Sequence, residues 1–137
     1  MDAIIWLKIL VLAVVWFGIG AIWYSPWCLG KAWMAALGKT HAEIEAERGP
    51  NKGPLMIAAL VSFIQTAILG FVIGHLKIDS VFMAAVTGFL MAAGFGLLAA
   101  WRSDAFRPSQ NTRLVWIDSG YDLVSAAIIA GLLSWWL

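Results

Sequence analysis

Charge is scarce in this sequence. Only 12% of its 137 residues are Asp, Glu, Lys or Arg, and 62% are hydrophobic. A soluble domain carries about a quarter charged residues, so a water-filled surface is excluded as the main environment. The formal net charge of +1 leaves no basic footprint for nucleic acid, which needs clustered Lys and Arg. A single cysteine, Cys28, rules out an intrachain disulfide and any multi-cysteine metal site. It reads as a small apolar residue near a membrane surface. The two histidines, His41 and His75, fall on opposite membrane sides in the topology below and cannot share a metal. No histidine cluster, nucleophile motif or glycine-rich phosphate loop is present. The expectation is therefore no metal, no cofactor, and a non-enzyme sooner than an enzyme.

What fills the chain instead is long apolar runs, with a mean hydropathy of +0.86. A spanning helix needs about 20 mostly apolar residues. Four stretches meet that length, at about 3–24, 55–74, 80–101 and 114–137. The first is too long for a signal-peptide core, and the aromatic stretch after it is a poor small-residue cleavage site, so it is read as a retained span. The expected fold is a single all-α membrane domain over 1–137. Spans two and three are joined by the short "HLKIDS" and are expected to pack as a tight hairpin. Pro108, in "RSDAFRPSQNTR" between spans three and four, blocks helix continuation.

Basic residues orient this arrangement. Lys31, Lys39, Arg48, Lys52, Arg102, Arg107 and Arg113 lie on one side, and only Lys8 and Lys77 on the other. The positive-inside rule places the two long connections in the cytoplasm of a bacterial inner membrane and both termini outside it. Trp6, Trp135 and Trp136 mark the outer boundary. Trp23, Trp27, Trp33, Trp101 and Trp116 mark the inner one, as two interfacial belts.

The stretch "AIWYSPWCLGKAWMAALG" (Ala21 to Gly38) is unusually aromatic. Ser25-Pro26 offers a helix start and Gly38 a left-handed stop, which predicts an amphipathic helix over 26–37. Leu29, Trp33 and Leu37 share a face and Lys31 points away, so the helix is expected to lie in the interface plane. Trp23, Trp27 and Trp33 would be its anchors. Trp23, Tyr24 and Trp27 lining a ligand pocket is the functional alternative. Thr40 and Glu43 form a capping-box pattern that predicts a short polar helix over 40–48.

"WYSP" after the first span, "GKAW" (Gly30–Trp33), and "IDSGYDLVS" (Ile117–Ser125) in the last span resemble the small bacterial membrane family catalogued as domain-of-unknown-function family 1761. The resemblance covers nearly the whole chain. It implies a four-helix integral membrane protein and no particular activity.

Chemistry is expected where ionisable groups enter a span, because such groups are expensive there. Asp118 and Asp122 share one face of span four, with Tyr121 alongside. Tyr24 reaches the same membrane level, so Tyr24, Asp118, Tyr121 and Asp122 form the candidate intramembrane polar site. In a purely structural reading, Asp118 pairs with a loop arginine and Asp122 hydrogen-bonds Tyr24 or a backbone group. Arg102, Arg107 and Arg113 are the candidates for ion pairs or lipid headgroups. Gln65, near the middle of span two, reads as interhelical glue.

Ala84, Gly88, Ala92, Gly96 and Ala100 repeat every fourth residue along span three and form a packing stripe that lets another helix approach closely. "FGIGAIW" (Phe17–Trp23) and "FGLLAAW" (Phe95–Trp101) hint at an internal repeat. The best functional reading is a small oligomeric proton- or cation-linked transport or binding protein using the span-four aspartates. The alternatives are a structural or accessory subunit of a larger membrane complex, or a lipid-binding protein. The expected partners are the lipid bilayer and either further copies of the chain or other membrane proteins.

Overall fold

In the computed structural model, which describes residues 2–137, the described chain is helical throughout with no strand. Its helices are α1 (Ala3–Trp23), α2 (Gly30–Leu37), α3 (His41–Arg48), α4 (Gly53–His75), α5 (Val81–Ala92), α6 (Leu98–Ala105) and α7 (Thr112–Trp136). A π turn over Ala93–Leu97 joins α5 to α6. Four helical segments, Ala3–Trp23, Gly53–His75, Val81–Ala105 and Thr112–Trp136, are long and apolar enough to cross a membrane. That is the build of an integral membrane protein.

The third segment runs on to Ala105, past the apolar run that ends at Trp101. Its polar end stays helical because Asp104, only 1% exposed, is answered. Its carboxylate accepts the Asn111 backbone N–H at 2.9 Å and the Thr112 hydroxyl at 3.4 Å. Asn111 in turn caps α7, its Oδ1 accepting from Leu114 N, and donates its amide to the Ala36 carbonyl at the end of α2 at 2.8 Å. The loop is thus folded around a buried carboxylate and ties α2 to the start of α7.

α7 is the central element, in contact with α1, α4 and α5. α1 packs on α4, and α5 packs on α7, while α4 and α5 scarcely meet. This corrects the tight hairpin expected from "HLKIDS". The short connection is there, but Ser134 of α7 donates to the Ile78 carbonyl at 2.8 Å and draws the loop toward α7. The close face of α5 is then used on α7. A Cβ built on Gly88 would lie 2.7 Å from the Ala130 Cβ and closer still to the Ala126 carbonyl oxygen. Ala84 is also buried there, Ala92 and Ala100 are half-buried, and Gly96 faces open space. The upper half of the small-residue stripe therefore serves a helix of the same chain.

Both described ends of the chain lie together. The Lys8 ammonium donates to the Trp136 carbonyl at 2.9 Å and sits 5.6 Å from its ring centre. A cation at a helix C-terminus is favoured by the helix dipole, which explains how a lysine is kept within α1. Toward this end the core is apolar: Leu12 and Trp16, Leu69 and Ile73, Ala84, and Ala126, Ile129, Ala130 and Leu133 pack together. The opposite end carries α2, α3 and the 106–111 loop.

Gly88→Leu is expected to force α5 off α7 and lower stability by about 1–3 kcal/mol, the usual cost of overpacking. Gly96→Leu is expected to be tolerated. Thermal unfolding of both variants in mild detergent checks this; equal stability of the two would refute the assigned crossing.

Candidate functional site

The polar residues of α7 gather toward the α2–α3 end, and each meets a different neighbour. The Tyr24 hydroxyl, just past the end of α1, donates to Asp118 Oδ1 at 2.7 Å. The Trp23 ring N–H donates to the Ile117 carbonyl at 3.0 Å. Tyr121 reaches back and donates to the Trp16 carbonyl at 3.0 Å. Glycines on both helices make room: a Cβ on Gly20 would come 2.9 Å from the Tyr121 hydroxyl, and one on Gly120 3.1 Å from the Trp23 ring. Tyr24 stands edge-on to both Tyr121 and Trp33, at 5.7 and 5.9 Å between ring centres.

The backbone after α1 explains how Trp33 reaches this cluster. Ser25 does not start a helix; its hydroxyl bonds back to the Ile22 carbonyl at 2.6 Å. Its own carbonyl accepts from Cys28 N and Gly30 N, both at 3.0 Å. The chain turns through Ser25–Leu29, and α2 begins at Gly30, later than the serine–proline pair suggests. Gly30 is buried against the Tyr24 and Ser25 carbonyls, too close for any side chain. Trp27 is left 97% exposed on the turn, away from the cluster, and Lys31 is exposed on α2.

Two openings meet α7 here. One is a cavity of about 680 Å³ at the α2–α3 end, with Tyr24, Trp33, His41, Glu45, Arg48 and Asp118 in its wall. The other is a crevice of about 230 Å³ between α4 and the α5–π segment, with Trp16, Gln65 and Asp122 among its lining residues. Asp122 lies one helical turn deeper than Asp118, about 6 Å along the axis. It neighbours Gln65 across the α4–α7 contact. The polar hydroxyls of α4 are satisfied within that helix: Ser62 donates to the Ala58 carbonyl and Thr66 to the Ser62 carbonyl, each at 2.8 Å.

The structure thus brings Tyr24, Asp118 and Tyr121 together and sets Asp122 beside Gln65. Asp118 is partnered by Tyr24 and not by a loop arginine. Arg102 and Arg113 are exposed, and Arg107 stands 3.9 Å from Asp104. Among the described residues neither Asp118 nor Asp122 has an ion-pair partner, and no group of three or more His, Cys, Asp or Glu could hold a metal. Two contributors escaped the sequence reading. Asp104 was hidden in a loop that looked uniformly solvated. Trp16 is a tryptophan at mid-span, outside both aromatic belts, and that position was the available signal.

The stretches that meet in this clasp, Trp23–Tyr24 and Ile117–Asp122, lie within a region, residues 7–134, matched by the family model for a protein of unknown function, DUF1761. The chain belongs to this family. No curated protein and no solved structure matches it. Membership in DUF1761 carries no activity with it, so the function has to be read from the clasp and the two openings.

Tyr24→Phe removes the bond to Asp118 and is expected to lower stability by about 1 kcal/mol. Asp118→Asn, which keeps an acceptor, should lose less than Asp118→Leu. Unfolding of the three variants in detergent measures the order. An unchanged Tyr24→Phe would mean that the hydroxyl contributes nothing to the clasp.

Proposed function

We propose that this protein is a proton- or cation-linked binding and transport protein, with Asp118 and Asp122 as its two ion-holding groups. The carrying observation is that two carboxylates one turn apart on α7 open onto different spaces. Asp118 lines the cavity beside α2 and α3, and Asp122 lines the crevice between α4 and α5. A carboxylate inside a span needs a partner, a proton or water. Neither of these has a cationic side chain bonded to it among the described residues, which leaves each free to hold an exchangeable cation. Tyr24 donates to Asp118 and Gln65 stands beside Asp122, so both carboxylates keep a neutral polar neighbour when the ion leaves. The packed apolar core beyond them favours a site that reaches halfway in and completes its passage by movement, with the loosely joined α4 and α5 as the moving pair.

Asp122→Asn is then expected to keep the fold and reduce proton or cation flux in proteoliposomes to background. Asp122→Leu should also destabilise the bundle. Wild-type flux no greater than that of empty liposomes would end the transport reading.

The same proposal orients the chain in a bacterial cytoplasmic membrane as a homo-oligomer, with both termini outside and α2 lying flat on the inner leaflet. The seven-to-two distribution of basic residues supports the orientation, and the apolar face of Leu29, Trp33 and Leu37 opposite the exposed Lys31 supports the placement of α2. Cysteines at Glu45 and Gln110, on a Cys28→Ala background, are expected to resist an impermeant label in intact cells and react once the membrane is opened. Reaction in intact cells would reverse the orientation.

A further inference from the structure

The crevice between α4 and the α5–π segment differs from the loop-side cavity in what surrounds it. It opens at mid-span, between side chains that face outward from the bundle. Phe95 is 84% exposed and Ile68 is 51% exposed, and both are rim residues. Within a bilayer that mouth meets acyl chains, not water. The lining is mostly apolar, and its polar members are the Asp122, Gln65 and Trp16 side chains. Trp16 is only 2% exposed, yet its ring N–H has no hydrogen-bond partner. A buried donor left unpaired costs about 1–3 kcal/mol, so an orphan beside a cavity asks for an acceptor that the protein does not supply.

The donor and acceptor set defines what fits. Asp122 offers a negative charge, and no Lys, Arg or His lines the crevice to answer it. Gln65 offers one acceptor and two donor hydrogens. Trp16 offers one donor hydrogen, and Trp16 and Phe95 offer π faces that attract cations. The matching head carries a positive charge together with a neighbouring oxygen acceptor. The volume, about 230 Å³, holds a head of that size and little more. The apolar body of the molecule must stay in the mouth, against Ile68, Met91 and Phe95. The π turn and the small residues Gly88, Ala92 and Gly96 keep α5 from filling the space, and a Cβ on Gly96 would touch nothing within 4 Å.

Resting on the ion-linked reading of Asp122, we infer that the crevice is a lateral binding site for amphipathic organic cations, of the amino-alcohol or amino-ether type, that enter from the lipid between α4 and α5. The ammonium pairs with Asp122, the adjacent oxygen accepts from Trp16 and Gln65, and the hydrocarbon or aryl body remains in the bilayer.

The test uses the full chain in lipid nanodiscs, with propranolol, an aryloxy amino alcohol, as the probe. Its neutral analogue 3-(1-naphthyloxy)-1,2-propanediol keeps the oxygens and lacks the amine. Empty nanodiscs of the same lipid give the partitioning baseline. Saturable propranolol binding above that baseline is expected, with the diol at least about tenfold weaker. Asp122→Asn should lose about tenfold or more and Trp16→Phe a smaller factor. Gly96→Leu, which keeps the carboxylate and fills the mouth, should abolish binding. Equal binding of amine and diol, or binding unaffected by Asp122→Asn and Gly96→Leu, overturns the proposal. Absence of propranolol binding in a preparation that still shows Asp122-dependent flux of inorganic cations or protons overturns this inference alone. Absence of both removes the ion-linked reading with it.

Discussion

A polar group carried into the middle of a bilayer finds no water, and it must be answered by a neighbouring helix or by something the helix holds. α7 carries Asp118, Tyr121 and Asp122 into the span, and much of the bundle follows from the answers. Tyr24 takes Asp118, Trp23 takes the Ile117 carbonyl, and Tyr121 takes the Trp16 carbonyl. Those bonds hold the end of α1 on α7. α4 then lies beside α1, with Gln65 next to Asp122. The polar half of α7 is thereby surrounded by α1 and α4, and its apolar, small-residue half is left to α5. The asymmetry of the bundle, polar side chains toward α2 and α3 and an apolar core toward the termini, is the asymmetry of one helix passed on to its neighbours.

The spans and their number were legible because hydrophobic length is read directly from sequence. The observed helices Ala3–Trp23 and Thr112–Trp136 nearly coincide with the apolar runs. Their partners were less so. Loop length suggested that α4 and α5 would pair, but a short loop fixes only proximity at one end. Packing was decided by the match of Gly88 to Ala126 and Ala130 across helices that the sequence separates widely. The grouping of Tyr24 with Asp118 and Tyr121 could be expected from membrane depth alone. The place of Asp122 beside Gln65 could not, because it depends on which side of α7 the Gln65 face of α4 occupies. Asp104 was illegible for a further reason. A carboxylate in a polar loop has the same sequence signature whether it is solvated or buried, and only the 2.9 Å bond from Asn111 tells them apart.

The aromatic stretch after α1 shows how a motif can be right in place and different in purpose. Ser25 and Pro26 were expected to launch a helix. Ser25 instead closes a turn on α1, and Gly30 starts α2 because nothing larger fits against the Tyr24 and Ser25 carbonyls. The turn sets Trp33 against Tyr24, and Asn111 fixes the far end of α2 through Ala36. α2 is therefore a strut between the end of α1 and the start of α7, and it walls the loop-side cavity that reaches Asp118.

The π turn at Ala93–Leu97 sets the rotational phase of the third span. An unbroken α-helix would turn Gly88 and Asp104 about 160° apart, facing opposite ways. An i→i+5 turn absorbs one extra residue, which takes about 100° off that angle. Gly88 and Asp104 then face broadly the same side, one against the Ala126 backbone and the other inside the loop that begins α7. The extra residue works like a tooth in a gear. The same chain wound as an unbroken α-helix through Ala93–Leu97 would have identical composition and hydropathy, yet it would turn its buried carboxylate away from the loop that begins α7, whereas a chain one residue shorter there could drop the π turn and keep the phase.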